Sequence, residues 1–301
     1  MSLRFAYNTN GTSNHRLEDA LALIADAGYN GVALTLDHHH FDPFAADFKK
    51  RAEDLSARLS GLGLGSVIET GARFLLDWRH KHEPTLLSPD APGRRKRIAF
   101  LKLAIDLAAI VGAEAISFWS GVPRPNVSRA QAGQFLREGL EQVLEHAERQ
   151  KVIAAFEPEP GMLIETVADF RNLKKRFPQL KLALDTGHCL ASEECQPEAA
   201  VVEMRNELGT VAIEDMRRGV HEHLFFGEGE MNIAAILKAL DEINYQKLVC
   251  VELSRHSHCA DKTVLSAIEY LKTAERGNRQ VESAAGSLSS RLLSNKNRLA
   301  S

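Results

Sequence analysis

The chain has 301 residues, 44% of them hydrophobic and 26% charged, with a formal net charge of -3. This composition excludes wholesale disorder, and the near-neutral balance gives no basic field for nucleic acid, so no nucleic-acid partner is expected. Length alone admits one α/β barrel or two medium domains. The four cysteines, Cys189, Cys195, Cys250 and Cys259, have no CxxC spacing, and Cys250 lies inside a strand pattern as a small buried thiol, which reads as a reducing compartment. The N-terminal residues lack the long apolar stretch of a signal peptide, and no segment approaches membrane-spanning length. The expectation is a cytoplasmic protein with no membrane partner.

Leu3–Tyr7 reads as the first strand, and Arg16–Ala27 as a helix with Leu17, Ala20, Leu21 and Ile24 at helical spacing and Gly28 just past its end. Gly31–Leu36 is the second strand. The loop Asp37–Pro43, with consecutive His38, His39 and His40, leads to a helix over Ala46–Leu62, and Ser66–Glu69 is the third strand. The connection Thr70–Gly93 is far longer than the about 2–6 residues usual in α/β units. It carries Arg73, Asp77, Trp78, Arg79, His80, Lys81 and His82, and loops of this kind are usually functional.

Arg97–Val111 is an apolar-periodic helix, Ala115–Phe118 the fourth strand, and Ser128–Gln150 a long helix with Ser128 as its N-cap. Trp119–Pro125, containing Arg124, is the loop between them. Val152–Glu157 is the fifth strand, Thr166–Arg176 a helix and Leu182–Asp185 the sixth strand. Pro197–Glu207 packs back before the seventh, Thr210–Glu214. Asn232–Ile243, Lys247–Glu252 and Thr263–Ala274 complete the series as helix, eighth strand and closing helix. Eight strand-helix units in about 275 residues predict a single-domain α/β fold, a (β/α)8 TIM barrel over residues 1–275, with a doubly wound open sheet as the alternative. Residues 276–301, with the Gly- and Ser-rich stretch Val281–Ser290, read as a flexible or partner-docking tail, where Leu288, Leu292 and Leu293 offer a short amphipathic face.

Five of the predicted strands end in an acid: Glu69, Glu157, Asp185, Glu214 and Glu252. In a parallel barrel such ends share one mouth, where carboxylates crowded without a cation repel one another, a conflict that a divalent ion resolves. Individual acids could instead pair with Arg73, Lys81, Arg124 or Arg255. The most specific motif is Asp185-Thr-Gly-His188, in which a tight glycine turn returns an imidazole to the opening. His221 and His223, spaced i, i+2, point the same way if their segment is extended, and the following Gly227-Glu-Gly229 turn would let the backbone approach a ligand.

The order Glu157, Asp185-Thr-Gly-His188, Glu214-Asp215 with His221-Glu-His223, Gly227-Glu-Gly229, then Tyr245 before Glu252 resembles the xylose isomerase-like TIM-barrel superfamily of sugar-phosphate isomerases/epimerases and endonuclease IV-type enzymes. The resemblance covers roughly residues 1–275. It implies that Glu157, Asp185 and Glu252 bind a divalent metal and that Glu157 and Glu252 serve as acid and base. The family commonly has His-x-x-Asp at strand seven, whereas this chain has Ala212-Ile-Glu-Asp215, so the usual histidine ligand is missing. His223 from the next loop, or Glu214 two residues after Ala212 on the same strand face, would replace it.

The resulting expectation is a metal-dependent isomerase or epimerase of a sugar, sugar phosphate or related hydroxy-carbonyl compound, working by glutamate-mediated proton transfer. Oxygen ligands favour Mg2+ or Mn2+, with Zn2+ admissible. His188, His221, Glu69, Arg73, His82, Trp119 and His38 are candidates for contacting substrate, the third and fourth loops forming a lid. Two alternatives share the scaffold. One is a hydrolase or phosphodiesterase of the endonuclease IV type, which would recruit further histidines from His38, His39, His40, His80 and His82. The other is a non-catalytic metabolite-binding barrel. The expected partner is a small carbohydrate-like substrate, and the protein could assemble as a homo-oligomer.

Overall fold

A computed structural model describes the backbone of residues 2–298 and the side chains of residues 2–280. Eight parallel strands close into a barrel: β1 (Arg4–Asn8), β2 (Gly31–Thr35), β3 (Gly65–Glu69), β4 (Ile116–Phe118), β5 (Ala154–Phe156), β6 (Lys181–Asp185), β7 (Leu208–Ile213) and, last in the chain, β10 (Leu248–Val251). Around the barrel the order is β1, β10, β7, β6, β5, β4, β3, β2. The strand period of two explains why the floor of the mouth is acidic. On β6, Leu182 and Leu184 face the helical layer while Ala183 faces the lumen; on β10, Val249 and Val251 face out and Leu248 and Cys250 face in. Glu69, Glu157, Asp185, Glu214 and Glu252 continue the inward-facing series, each as its last member. The lumen below them is filled by small residues, among them Ala6, Ala33, Ala115 and Ala155, leaving the acids to line its upper end.

Helices α1 (Leu17–Asp26), α2 (Phe48–Leu62), α3 (Ala91–Val111), α4 (Arg129–Gln150) and α5 (Val167–Lys174) fall where the apolar spacing puts them, and Ser128 and Thr166 each close a capping box. The start of α3 differs from expectation by six residues. Asp90 accepts from Gly93 N at 2.6 Å as N-cap, with Pro92 in the first turn, so Asp-x-Pro is a helix start, not part of the loop. After Asp185 there is no glycine turn but a short helix, α6 (Thr186–Ala191), followed by α7 (Pro197–Glu203). The segment after β7, expected as a loop, is an antiparallel hairpin of β8 (Asp215–Arg217) and β9 (Val220–Leu224). Then α8 (Ile233–Glu242) precedes β10.

The closing helix α9 runs Ala260–Arg298, through the expected boundary at 275. Glu275 explains why it continues: its carboxylate accepts from Leu3 N at 2.8 Å and Ser2 Oγ at 3.2 Å, and Asn278 Nδ2 donates to Ala234 O at 2.7 Å. The helix is thus fastened to the start of the chain just before the expected boundary, and the first part of the expected tail is tied to α8 through Asn278. The expected docking face at Leu288, Leu292 and Leu293 lies outside the described side chains, and 299–301 lie outside the described residues. Among the described residues, no helix is long and apolar enough to cross a membrane.

Candidate active site

The mouth opens into a cleft of about 750 Å³ lined by Asn10, His38, Glu69, Arg73, Lys81, His82, Trp119, Glu157, Glu159, His188, His221, His223, Glu252 and Arg255, among others. Asp185 and Glu214 lie just beneath its floor, at 3% and 0% exposure. All the carboxylates and histidines read from the strand ends therefore come together. Donor atoms lie within 4.8 Å of one another in three groups, one of His188, His221 and His223, one of Glu157, Asp185 and His188, and one of Asp185, His223 and Glu252; Asp185 is the hub that joins the two containing carboxylates.

Local backbone builds the hub. Asp185 caps α6, its Oδ1 accepting from Gly187 N at 2.8 Å and His188 N at 3.2 Å. Glu214 Oε1 accepts from the same Gly187 N at 3.1 Å, an approach that only glycine permits, since a Cβ there would lie 2.2 Å from that oxygen. The helix start turns His188 back over the floor. Its Nδ1 stands 3.0 Å from Pro158 O, so a proton on that nitrogen leaves the Nε2 lone pair facing Asp185 Oδ2 at 3.4 Å and His221 Nε2 at 3.1 Å. On the floor's flanks, Glu157 Oε2 accepts from Ser117 Oγ at 3.1 Å and Glu252 Oε1 from Asn10 Nδ2 at 2.8 Å.

The hairpin delivers the two other histidines. Asp215 folds its base: its carboxylate accepts from Gly227 N (2.8 Å), Gly229 N (3.0 Å) and Met231 N (3.0 Å). The Gly-x-Gly turn therefore wraps a carboxylate of the protein itself, which corrects the expectation that it approaches a ligand. A Cβ on Gly229 would fall 2.2 Å from Asp215 Oδ1. His221 and His223 do point the same way, with ring centroids 5.4 Å apart, and His223 Nδ1 reaches to 3.9 Å from Glu214 Oε2. The strand-seven gap at Ala212 is thus faced by an imidazole arriving from the next strand.

Charge crowding is visible in the proton affinities. Burial, then Glu252, pushes the Glu69 carboxyl up to about 8; burial, then Glu159 and Glu69, pushes Glu157 well above the carboxylate range. Burial, then Asp185, also raises Glu214. Burial would raise Asp185 as well, but His188 and His223 outweigh it and bring it down to about 2. For His223, burial disfavours the charge, yet Glu252, Glu214 and Asp185 together lift it to about 10.

These atoms fit a cation. Asp185 Oδ2, Glu214 Oε2 and His223 Nδ1 are buried without a hydrogen-bond partner, and three unsatisfied electron-rich or titratable atoms around one acidic floor are what a metal would satisfy. The donor set of carboxylates and imidazoles suits Mn2+ or Zn2+ at least as well as Mg2+.

The third and fourth loops form one wall. Arg97, expected as a helix start, is instead buried inside α3 and clamps the loop, donating to Pro84 O (2.8 Å), Thr70 O (3.0 Å) and His82 O (2.6 Å). Its guanidinium lies 4.8 Å from the Trp119 ring centroid, and His82 meets that ring edge-on at 5.7 Å, so Trp119 packs the rim as well as lining the cleft. The other histidines scatter. His40 Nε2 contacts His15 O at 3.2 Å, His80 pairs with Asp77 and His82 Nδ1 is bound to Gly71 O, while His38 and His39 are exposed at the mouth. Tyr245, which precedes β10, is at the opposite end of the barrel from the acids. Among the cleft residues that escaped the sequence reading are Glu159, whose signal was the Glu-Pro-Glu spacing after β5, and Asn10, which sits in a turn after β1 with no motif to mark it.

The family model described as xylose isomerase-like TIM barrel matches residues 21–274, and the chain belongs to that family. No curated protein matches the sequence. Similar solved structures include the 3-keto-D-glucoside 4-epimerase of E. coli in its apo form, with a TM-score of 0.73 at 16% identity over 90% of this chain and 100% of that one. D-allulose 3-epimerase from Methylomonas sp., in complex with D-allulose, has a TM-score of 0.70 at 18% identity over 90% and 97%. The IolI protein, with a bound zinc atom, has a TM-score of 0.68 at 17% identity over 92% and 98%.

Proposed function

We propose that the protein is a divalent-metal-dependent sugar isomerase or epimerase in which Glu157, Asp185, His223 and Glu252 hold the ion and Glu157 and Glu252 move protons. The observation that carries this reading is the arc of strand ends β5, β6, β7 and β10: Glu157 and Glu252 occupy its two ends, with Asp185 and Glu214 between them. An ion held there supplies a Lewis acid that polarises a carbonyl and its vicinal hydroxyl. Two carboxylates facing each other across a ketose give one group to take the proton α to the carbonyl and another to return it to the opposite face. Ser117 and Asn10 orient the two carboxylates, and the loop wall of His82 and Trp119 screens the site from water. The sugar epimerases among the similar structures, one with D-allulose and another family fold with zinc, support substrate class and metal dependence. An endonuclease IV-type centre finds less support: of the histidines it would add, His40, His80 and His82 are each engaged elsewhere, which leaves His38 and His39 at the mouth.

The test is exchange of the α-proton of ketoses in deuterated water with Mn2+-loaded protein. Glu157→Gln and Glu252→Gln should each lower exchange by about 100-fold or more, and His223→Ala should weaken Mn2+ binding in calorimetric titration. Undiminished exchange in both glutamine variants would overturn the assignment.

A further inference from the structure

The floor of the cleft is acidic, yet its wall carries cations. Of the three lining the cleft, Arg255 is engaged by Glu222. Among the described residues, no carboxylate lies within ion-pair distance of Arg73 or Lys81. Arg73 Nη2 donates to Asn10 O at 2.8 Å, which engages one of the guanidinium's five donors, and Lys81 is exposed.

The loop that carries both cations takes its path at a conformational cost. Ala72, Arg73 and His82 have φ of 59°, 37° and 66°, a region that side chains other than glycine rarely enter. His82 N donates to Arg73 O at 2.6 Å, tying the two segments side by side, and the Arg97 clamp fixes the carbonyls of Thr70, His82 and Pro84 around them. Lys81 lines the cleft together with His82 of the loop wall and His221 of the hairpin wall. Backbone strain that its surroundings over-determine gathers at ligand clamps. Neutral hydroxyls could be met by the asparagines and histidines already present. A guanidinium fork and an ammonium lining one cleft match an oxyanion.

We infer that Arg73 and Lys81 form an anion-recognition subsite, so that the substrate is an anionic sugar, a sugar acid or sugar phosphate, with its charged end on the third-loop wall and its carbonyl end over Asp185. The inference rests on the isomerase reading above for the carbonyl end alone; the anionic end stands on the loop.

The experiment uses polyols that have no carbonyl and cannot react: sorbitol, gluconate and sorbitol 6-phosphate, titrated calorimetrically into the Mn2+-loaded wild type and Lys81→Met. At least one anionic polyol should bind about tenfold tighter than sorbitol. The preference should shrink to within about threefold in Lys81→Met and weaken on raising salt from about 0.05 to about 0.5 M, with an unchanged melting temperature. The better of the two anions separates phosphate from carboxylate. Equal binding of all three polyols, or a preference that survives Lys81→Met, overturns the subsite. Lys81-dependent binding without α-proton exchange on any ketose would leave the subsite standing and remove the isomerase reading, and exchange without anion preference would do the reverse.

Discussion

Glu69 ends β3 partly buried in the cleft wall, where burial followed by the charge of Glu252 raises its pKa from 4.5 to about 8. An acid whose folded pKa is raised binds its proton more tightly in the folded state. Its contribution to stability is complete below about pH 4.5 and is lost as pH rises through about 8. Glu157, Glu159 and Glu214 shift in the same direction, while Asp185, brought down to about 2, acts at the acid end. The melting temperature of chelator-treated protein should therefore fall between about pH 5 and pH 8, and Glu69→Gln should flatten part of that fall. Calorimetric scans at constant ionic strength check this; an equally steep fall in the variant would assign it to the neighbouring acids. At this scale the sequence was informative wherever a residue ended a strand. It was silent on Asn10, because a turn asparagine acquires its role only by meeting Glu252 from a strand 242 positions away along the chain.

The hairpin Asp215–Leu224 supplies the imidazole that β7 lacks, and its position depends on three backbone N–H groups converging on Asp215. Gly229→Ala inserts a methyl against that carboxylate, and overpacking of this kind costs about 1–3 kcal/mol. Urea denaturation should show that loss, and Mn2+ titration a weaker site, because His223 moves with the hairpin. A variant with wild-type stability and affinity would mean that the turn does not position His223. The hairpin was hard to read from its residues because Arg217, Arg218, His221, Glu222 and His223 lack the alternating hydrophobicity of a half-buried strand. The long third loop is the opposite case: its length marked it as functional, but the Arg97 clamp that orders it sits on a helix and depends on carbonyls, which sequence does not distinguish.

Across the whole molecule, α9 closes the barrel by returning Glu275 to the first strand. A chain ending at residue 280 keeps every described side-chain contact of that helix and should keep the melting temperature of the full chain. A chain ending at residue 274 strands the Leu3 N–H and should lose about 1–3 kcal/mol, the cost of an unsatisfied buried donor. Thermal unfolding of the two truncations checks this, and equal melting temperatures would show that the Glu275 contacts contribute nothing. That the helix continues past the expected boundary was invisible locally, since residues after 275 have tail-like composition, while Glu275 finds its partners at residues 2 and 3 and Asn278 its partner at residue 234.

The order of elements and the acids at strand ends were determined by the sequence itself, because period-two burial and helical spacing are local properties that a parallel barrel converts directly into a shared mouth. The replacement at Ala212 was legible only as a pair of options, His223 or Glu214. Tertiary structure decided what those options mean: both side chains face the same floor, Glu214 held by Gly187 from α6 and His223 carried in on a hairpin. It also decided that Arg73 and Lys81 stand on one wall with, among the described residues, no carboxylate at ion-pair distance. Pairing and strain are relations between segments brought together by the fold, and no stretch of sequence contains them alone.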